Sequence, residues 1–378
     1  MLIIIGVTIV VVFVADKVDA DFNPTILEKP YAFTDRSVEL YNSLEFVADL
    51  HCDALMWQRN MNTEHDFGHV DIPRLQEGNV AFQAFTMVTK SPDNLNFDNN
   101  GSDSDRITNL VIGQGRPLYA WFSLFGRAKY QCKQLQKAAK KNEYFRLISN
   151  KTDFQEFLKD RKKDKRHVGA FLGAEGGHCL EGKIENLGKL YDMGMRMLGP
   201  THFFDNELGG SAHGIEKGGL SDFGKEVILE MVERNMIIDI AHSSSQLVDD
   251  ILQLTDAPII SSHTGVNGHC ASSRNLTDEQ LRAIAERGGL VGIAFFDEAV
   301  CGATVKNIAI AMKYVRDLIG IEYVALGSDF DGTVDVPFDA TGFPLLVEAL
   351  LQEGFSANEI RLAMGDNVKN FFLKHLPD

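Results

Sequence analysis

Residues 236–263 read Met236-Ile-Ile-Asp-Ile-Ala-His242, a helical stretch from Ser245 to Thr255, and then Ala257-Pro-Ile-Ile-Ser-Ser-His263. Two short, nearly continuous apolar runs around one amphipathic stretch predict a β-α-β unit. An uninterrupted apolar run is what a strand covered on both faces requires. Each run closes on a histidine. Upstream, the runs Val168-Gly-Ala-Phe-Leu-Gly-Ala-Glu175 and Met195 to His202 flank a helix from Ile184 to Gly194. Downstream, Leu290 to Phe296 and Tyr323 to Asp329 flank a helix from Thr304 to Ile319. With earlier strands starting at Phe46 and Val80, the count is eight. Eight such units predict an α/β fold, a closed (β/α)8 barrel, with Ser91 to Lys165 as an insertion after the second strand. Within it, Pro117 to Lys141 and Lys151 to Lys165 have helical spacing, and the charge run from Lys159 to Arg166 reads as a solvated face.

The chain has 378 residues, 44% hydrophobic, with a formal net charge of -16. That charge excludes a nucleic-acid partner, which needs a basic face, and suits a site for divalent cations. Five cysteines without a CxxC pair exclude a zinc ribbon. Residues 2–14 are apolar and end at Ala15-Asp16-Lys17. They suit a signal-peptide core or a short N-terminal membrane anchor, although no basic residue precedes them; a buried strand is the other reading. The expected organisation is therefore a targeting segment over 1–20, an approach segment over 21–44 and one barrel domain over 45–378. An anchored or secreted chain would lie outside the cytoplasm.

A barrel gathers its functional residues at the C-terminal ends of its strands. Those ends carry His51 and Asp53, Glu175, His202, His242, His263 and Asp329. Any one of these is unremarkable, as a core histidine or a helix-capping carboxylate. Ionisable ends on six of eight strands are costly to bury together unless a cation compensates them. Imidazoles and carboxylates suit zinc or a similar borderline metal, and five ligands exceed one open tetrahedral site, which predicts two ions. Glu175 is the candidate bridge, and the bridged ions would acidify a shared water to supply hydroxide. Asp329 is the candidate general acid/base. Cys52, between the first two ligands, is either a core thiol facing away or a further ligand.

The motifs His51-x-Asp53, Gly173-Ala-Glu175-Gly-Gly-His178, Thr201-His202, Asp239-Ile-Ala-His242-Ser, Ser262-His263, Ala271-Ser-Ser-Arg274-Asn275 and Gly327-Ser-Asp329-Phe-Asp-Gly332 resemble the membrane (renal) dipeptidase family of zinc peptidases. The resemblance runs from about residue 45 to the end. It implies a binuclear zinc barrel that hydrolyses dipeptides, including some with a C-terminal D-residue. It places His51, Asp53 and Glu175 on one zinc and Glu175, His242 and His263 on the other. It further implies that His202 polarises the scissile carbonyl and that Arg274 pairs with the substrate carboxylate. His178 is left in a supporting role, and residues Asp205 to Gly218 would shape the pocket rim. The resemblance also implies a Cys270–Cys301 disulfide, suited to an oxidising compartment, and a possible homodimer. Two other functions stand beside this one: a binuclear amidohydrolase acting on lactones, cyclic amides or N-acyl amino acids, and a non-catalytic metal-binding surface protein. Arg274 discriminates the first and the intact ligand set opposes the second.

Overall fold

The computed structural model describes residues 15–378. The apolar run over 2–14 lies outside them. Nine parallel strands form the sheet: β1 (Ala48–Asp49), β2 (Phe82–Val88), β3 (Phe145–Leu147), β4 (Val168–Glu175), β5 (Met195–Gly199), β6 (Ile237–Asp239), β7 (Ile259–Thr264), β8 (Leu290–Ile293) and β9 (Val324–Leu326). β2 pairs directly with β4, and β1 pairs with both β2 and β9. Eight strands therefore close into the expected (β/α)8 barrel. β3 lies outside the ring, alongside the first residues of β4.

The strands are shorter than their apolar runs. β8 stops at Ile293 and β9 at Leu326, because the following residues leave the ladder to build the top of the barrel. Helices lie between the strands where amphipathic spacing places them, for example Ser245–Leu254 and Val305–Ile319. The helix Asp278–Glu286 starts with a capping box between Thr277 and Gln280, which satisfies donors that a helix start otherwise leaves open. The insertion folds as helices Arg106–Gly113, Leu118–Trp121, Leu124–Lys141 and Lys151–Lys163 around β3. Its charge run is solvated with one exception. Arg161 is 3% exposed and donates to the carbonyls of Lys165, His167 and Asn79.

Inward side chains of the strands fill the lower barrel: Phe82, Phe171, Met197, Ile237 and Ile260 form one cluster with Phe154 and Phe157 of the insertion and Phe372 of the last helix. The Phe171 and Phe372 rings meet edge-on at 4.6 Å, and Phe82 lies 4.9 Å from Phe372. Each such ring contributes roughly 2–3 kcal/mol by leaving water. This packed plug closes the N-terminal end, so the polar strand ends can converge only at the other. Gly327 is required there by close approach, since a Cβ would lie 1.9 Å from the Ser262 carbonyl oxygen.

The N-terminal residues are part of this body. Residues 15–22 are helical, and Asp19 is 2% exposed. Thr333 N donates to Asn23 Oδ1 at 3.0 Å and Ile26 N donates to the Val336 carbonyl at 2.9 Å. The segment is thereby stitched to the loop that follows β9. No described helix is long and apolar enough to cross a membrane.

Candidate metal centre

All seven strand-end ionisable side chains are brought to one place, and all are buried. Glu175, the last residue of β4, is the hub. Its Oε1 lies 2.9 Å from His242 Nε2, 3.2 Å from His263 Nε2 and 3.6 Å from His51 Nε2. Its Oε2 lies 3.2 Å from His202 Nε2. His51 Nε2 is 3.6 Å from Asp53 Oδ1 and 3.9 Å from Asp329 Oδ1. Three sets of donor atoms lie within 4.8 Å of one another: His51, Glu175 and His263; Glu175, His202 and His242; and His51, Asp53 and Asp329. Glu175 belongs to two of them, as a bridging carboxylate would.

The donors fit a metal for a second reason, the orientation of the imidazoles. Ser262 donates its hydroxyl to Asp239 Oδ2 at 2.6 Å, which leaves the Ser262 oxygen to accept from His51 Nδ1 at 2.9 Å and His263 Nδ1 at 3.0 Å. With Nδ1 donating to Ser262, each Nε2 is turned toward Glu175 and can ligate a cation there in place of a proton. His242 and His263 then face each other, Nε2 to Nε2, at 2.9 Å. Two lone pairs at that distance repel unless a cation or proton lies between them. Burial pushes His202, His242 and His263 well below the ordinary imidazole value, with Arg274 adding to it for His242 and His263, so these rings are neutral and ligand-ready. Burial raises Glu175 far above its ordinary value, and Asp53 reinforces this. Burial also raises Asp329, to about 8, with Asp53 adding to it against the pull of His51 and Arg274. Burial would lower His51, but Glu175 and Asp53 outweigh it and hold this ring protonated up to about 10. Carboxylates that force a proton onto a buried imidazole mark a site short of positive charge.

Two turns that carry candidate site residues are strained. His242 has φ 62° and Asp329 has φ 62°, in the left-handed region that side chains other than Gly rarely adopt. Around Asp329 the neighbours impose this. Asp331 accepts from His69 N at 2.7 Å and pairs with Arg59 at 2.6 Å, and Trp57 Nε1 donates to the Asp331 carbonyl at 2.8 Å. Above the cluster opens a cavity of about 650 Å³ whose lining includes Asp53, Glu175, His202, His242 and Asp329.

The remaining sequence candidates fall around this centre. Arg274 is 4% exposed, donates to the His263 carbonyl at 2.6 Å and keeps an unpaired Nε, though it is not among the lining residues. His178 is buried with both ring nitrogens unpaired, and burial lowers it to about 3. Cys52 belongs to the outer hydrophobic core, so its thiol is a core group facing away from the ligands. Cys270 and Cys301 are joined in a disulfide. In the segment from Asp205 to Gly218, His213 packs with its ring 5.1 Å from that of His242. Sequence reasoning missed Ser262, Asp239 and Thr86 as supports. Ser262 and Asp239 stood within the ligand motifs, whereas Thr86, with Oγ 2.6 Å from Asp53 Oδ1, left no local signal.

The sequence profile of the membrane dipeptidase family (peptidase family M19) matches residues 36–373. The chain belongs to this family. It is accordingly a metallo-dipeptidase, a hydrolase of peptide bonds. Solved structures share the fold. A metallopeptidase from Rhodobacter sphaeroides, liganded with a phosphinate mimic of the dipeptide L-Ala-D-Ala, superposes with a TM-score of 0.71 at 22% identity, covering 88% of this chain and 100% of that one. Dipeptidase AC, a metallopeptidase of family M19, gives 0.70 at 22% identity over 88% and 99% of the two chains. The probable dipeptidase PvdM from Pseudomonas aeruginosa gives 0.74 at 16% identity over 90% and 97%. Family membership implies a metal cofactor, and the convergent histidines and carboxylates of this dipeptidase are where it would be held.

Proposed function

We propose that this dipeptidase is a binuclear zinc enzyme acting on free dipeptides, including those with a C-terminal D-residue. The observation that carries the reading is the convergence of four imidazoles and Asp53, Glu175 and Asp329 at and beneath the cavity floor, with Glu175 common to two donor sets. His51 and Asp53 would hold one ion and His242 and His263 the other, with Glu175 on both. Zinc at such a site supplies an acidified water and a Lewis acid. The protein's own groups do the rest. Asp329, on the cavity wall, takes the proton of the attacking water and returns it to the leaving amine. His202, also on the wall and 3.2 Å from Glu175, stabilises the developing oxyanion. Arg274, with an unpaired donor behind His263, takes the substrate carboxylate. Acceptance of a D-residue is supported by the Rhodobacter sphaeroides neighbour, which was solved with a mimic of L-Ala-D-Ala. The disulfide supports an extracytoplasmic location.

The test is release of free amino acids from L-L and L-D dipeptides, with zinc and with a chelator, using a chain that keeps residues 15–23. Zinc-dependent cleavage that falls away for tripeptides and C-terminal amides is the expected result. Bound zinc measured on the same protein should come to two ions per chain. Metal-loaded, folded protein that spares every dipeptide would overturn the reading.

A further inference from the structure

The cavity above the metal centre is larger and more apolar than a dipeptide of two alanines needs. Its volume, about 650 Å³, is that of a pocket for a drug-sized ligand. Its ligand-bearing floor is polar, but Val18, Phe22, Leu95, Phe97, Ile107 and Leu110 all line it. They come from two places outside the barrel repeat: the N-terminal residues and the insertion. Phe22 is 47% exposed, an aromatic side chain facing open space. The charged groups of the lining include Asp297, Glu298 and Asp335, which suit a substrate ammonium. Arg106 also lines the cavity, with its Nε turned to Ser91 Oγ at 3.1 Å.

Further contacts fix the N-terminal residues in place. Arg59 Nε pairs with Asp19 Oδ2 at 2.9 Å, and the same guanidinium pairs with Asp331 Oδ2 at 2.6 Å. Asn23 Nδ2 donates to Asp19 Oδ1 at 2.8 Å. Val18 packs on a cluster of Met56, Trp57, Val88, Ile107 and Val111. Asp19 is thus a positioning residue for the wall, and one guanidinium joins that wall to the loop carrying Asp329.

We propose that residues 15–22 and the helix Arg106–Gly113 together form a side-chain pocket that selects dipeptides bearing a large apolar residue. The inference rests on the dipeptidase reading above and adds the substrate class. An apolar side chain that fills the space is bound through area removed from water, whereas a methyl group leaves most of it unused.

The experiment compares kcat/KM for Phe-Ala, Ala-Phe and Ala-Ala on the zinc-loaded chain. At least one Phe-containing dipeptide should exceed Ala-Ala by about tenfold or more, the scale on which apolar pockets discriminate. The double variant Phe22→Ser/Leu110→Ser should bring that ratio to within about threefold of one. Asp19→Asn should lower it too, through a higher KM for the Phe-containing dipeptide. Cleavage of Ala-Ala as good as that of both others in the wild type overturns the inference and leaves the dipeptidase reading standing. A ratio unchanged in the double variant does the same. Failure to cleave any of the three overturns both.

Discussion

Arg59→Met would remove a guanidinium shared by two buried carboxylates. The Arg59 side chain is 1% exposed, and the side chains of Asp19 and Asp331 are 2% and 0% exposed. Removing one partner of a buried pair costs about 3–5 kcal/mol, because it leaves a desolvated charge behind. Asp331 would keep its two backbone donors, His69 N at 2.7 Å and Val70 N at 3.2 Å. Asp19 would keep only Asn23, but burial already pushes it up to about 7, so protonation relieves part of its cost. The lower half of the range follows, about 3–4 kcal/mol at pH 7. Urea unfolding followed by fluorescence reads this directly, and the apparent Tm should fall by roughly 4–5 °C. Trp57 donates to the Asp331 carbonyl and so reports on the same loop. Turnover should fall as well, since the contacts of that loop help to hold Asp329 at φ 62°. A loss below about 1 kcal/mol with unchanged kcat would refute both the tether and its link to Asp329.

Three further expectations follow from particular contacts. Glu175→Gln removes the charge shared by two of the three donor sets, so bound metal and turnover should fall together; full zinc content with wild-type kcat would rule out the bridging role. Asp339 is lifted by burial, but its partners Lys29 at 2.6 Å, Thr341 and Arg74 outweigh this and hold it below the usual carboxylate range. A carboxylate lowered in the folded state stabilises above about pH 4 and loses that contribution as pH falls through its folded value. Asp339→Asn should therefore lose less stability than wild type between pH 5 and pH 3, and equal losses in urea midpoint would contradict the assignment. The Cys270–Cys301 bond closes a sequence separation of 31 residues, worth about 3.5 kcal/mol on a chain-entropy account. Its reduction should lower the unfolding midpoint accordingly, and alkylation of the unreduced chain at either position would deny the bond.

Much of the fold was legible because its signals are local. An apolar run bounded by turns marks a buried strand whatever its neighbours are, and eight of them separated by amphipathic stretches admit few topologies. The strand-end positions of His51, Glu175, His242 and His263 follow from the same counting. β3 escaped because three residues alongside the start of β4 carry no periodic signature. Arg161 read as solvated because composition does not reveal that carbonyls of two loops point at it.

By itself, then, the sequence determined the barrel, its insertion and which ionisable side chains end its strands, since strand period and chain order place those residues at one end. Only the tertiary structure decided how they meet: Glu175 as hub, Ser262 and Asp239 setting the imidazole protons, and Cys52 turned into the outer core. It also moved residues 15–23, which read as the edge of a leader and linker, onto the wall of the cavity. The reason is physical. Asp19 meets Arg59 across 40 residues of sequence, and Arg59 in turn meets Asp331 far along the chain; no local pattern encodes where a buried carboxylate will find its partner.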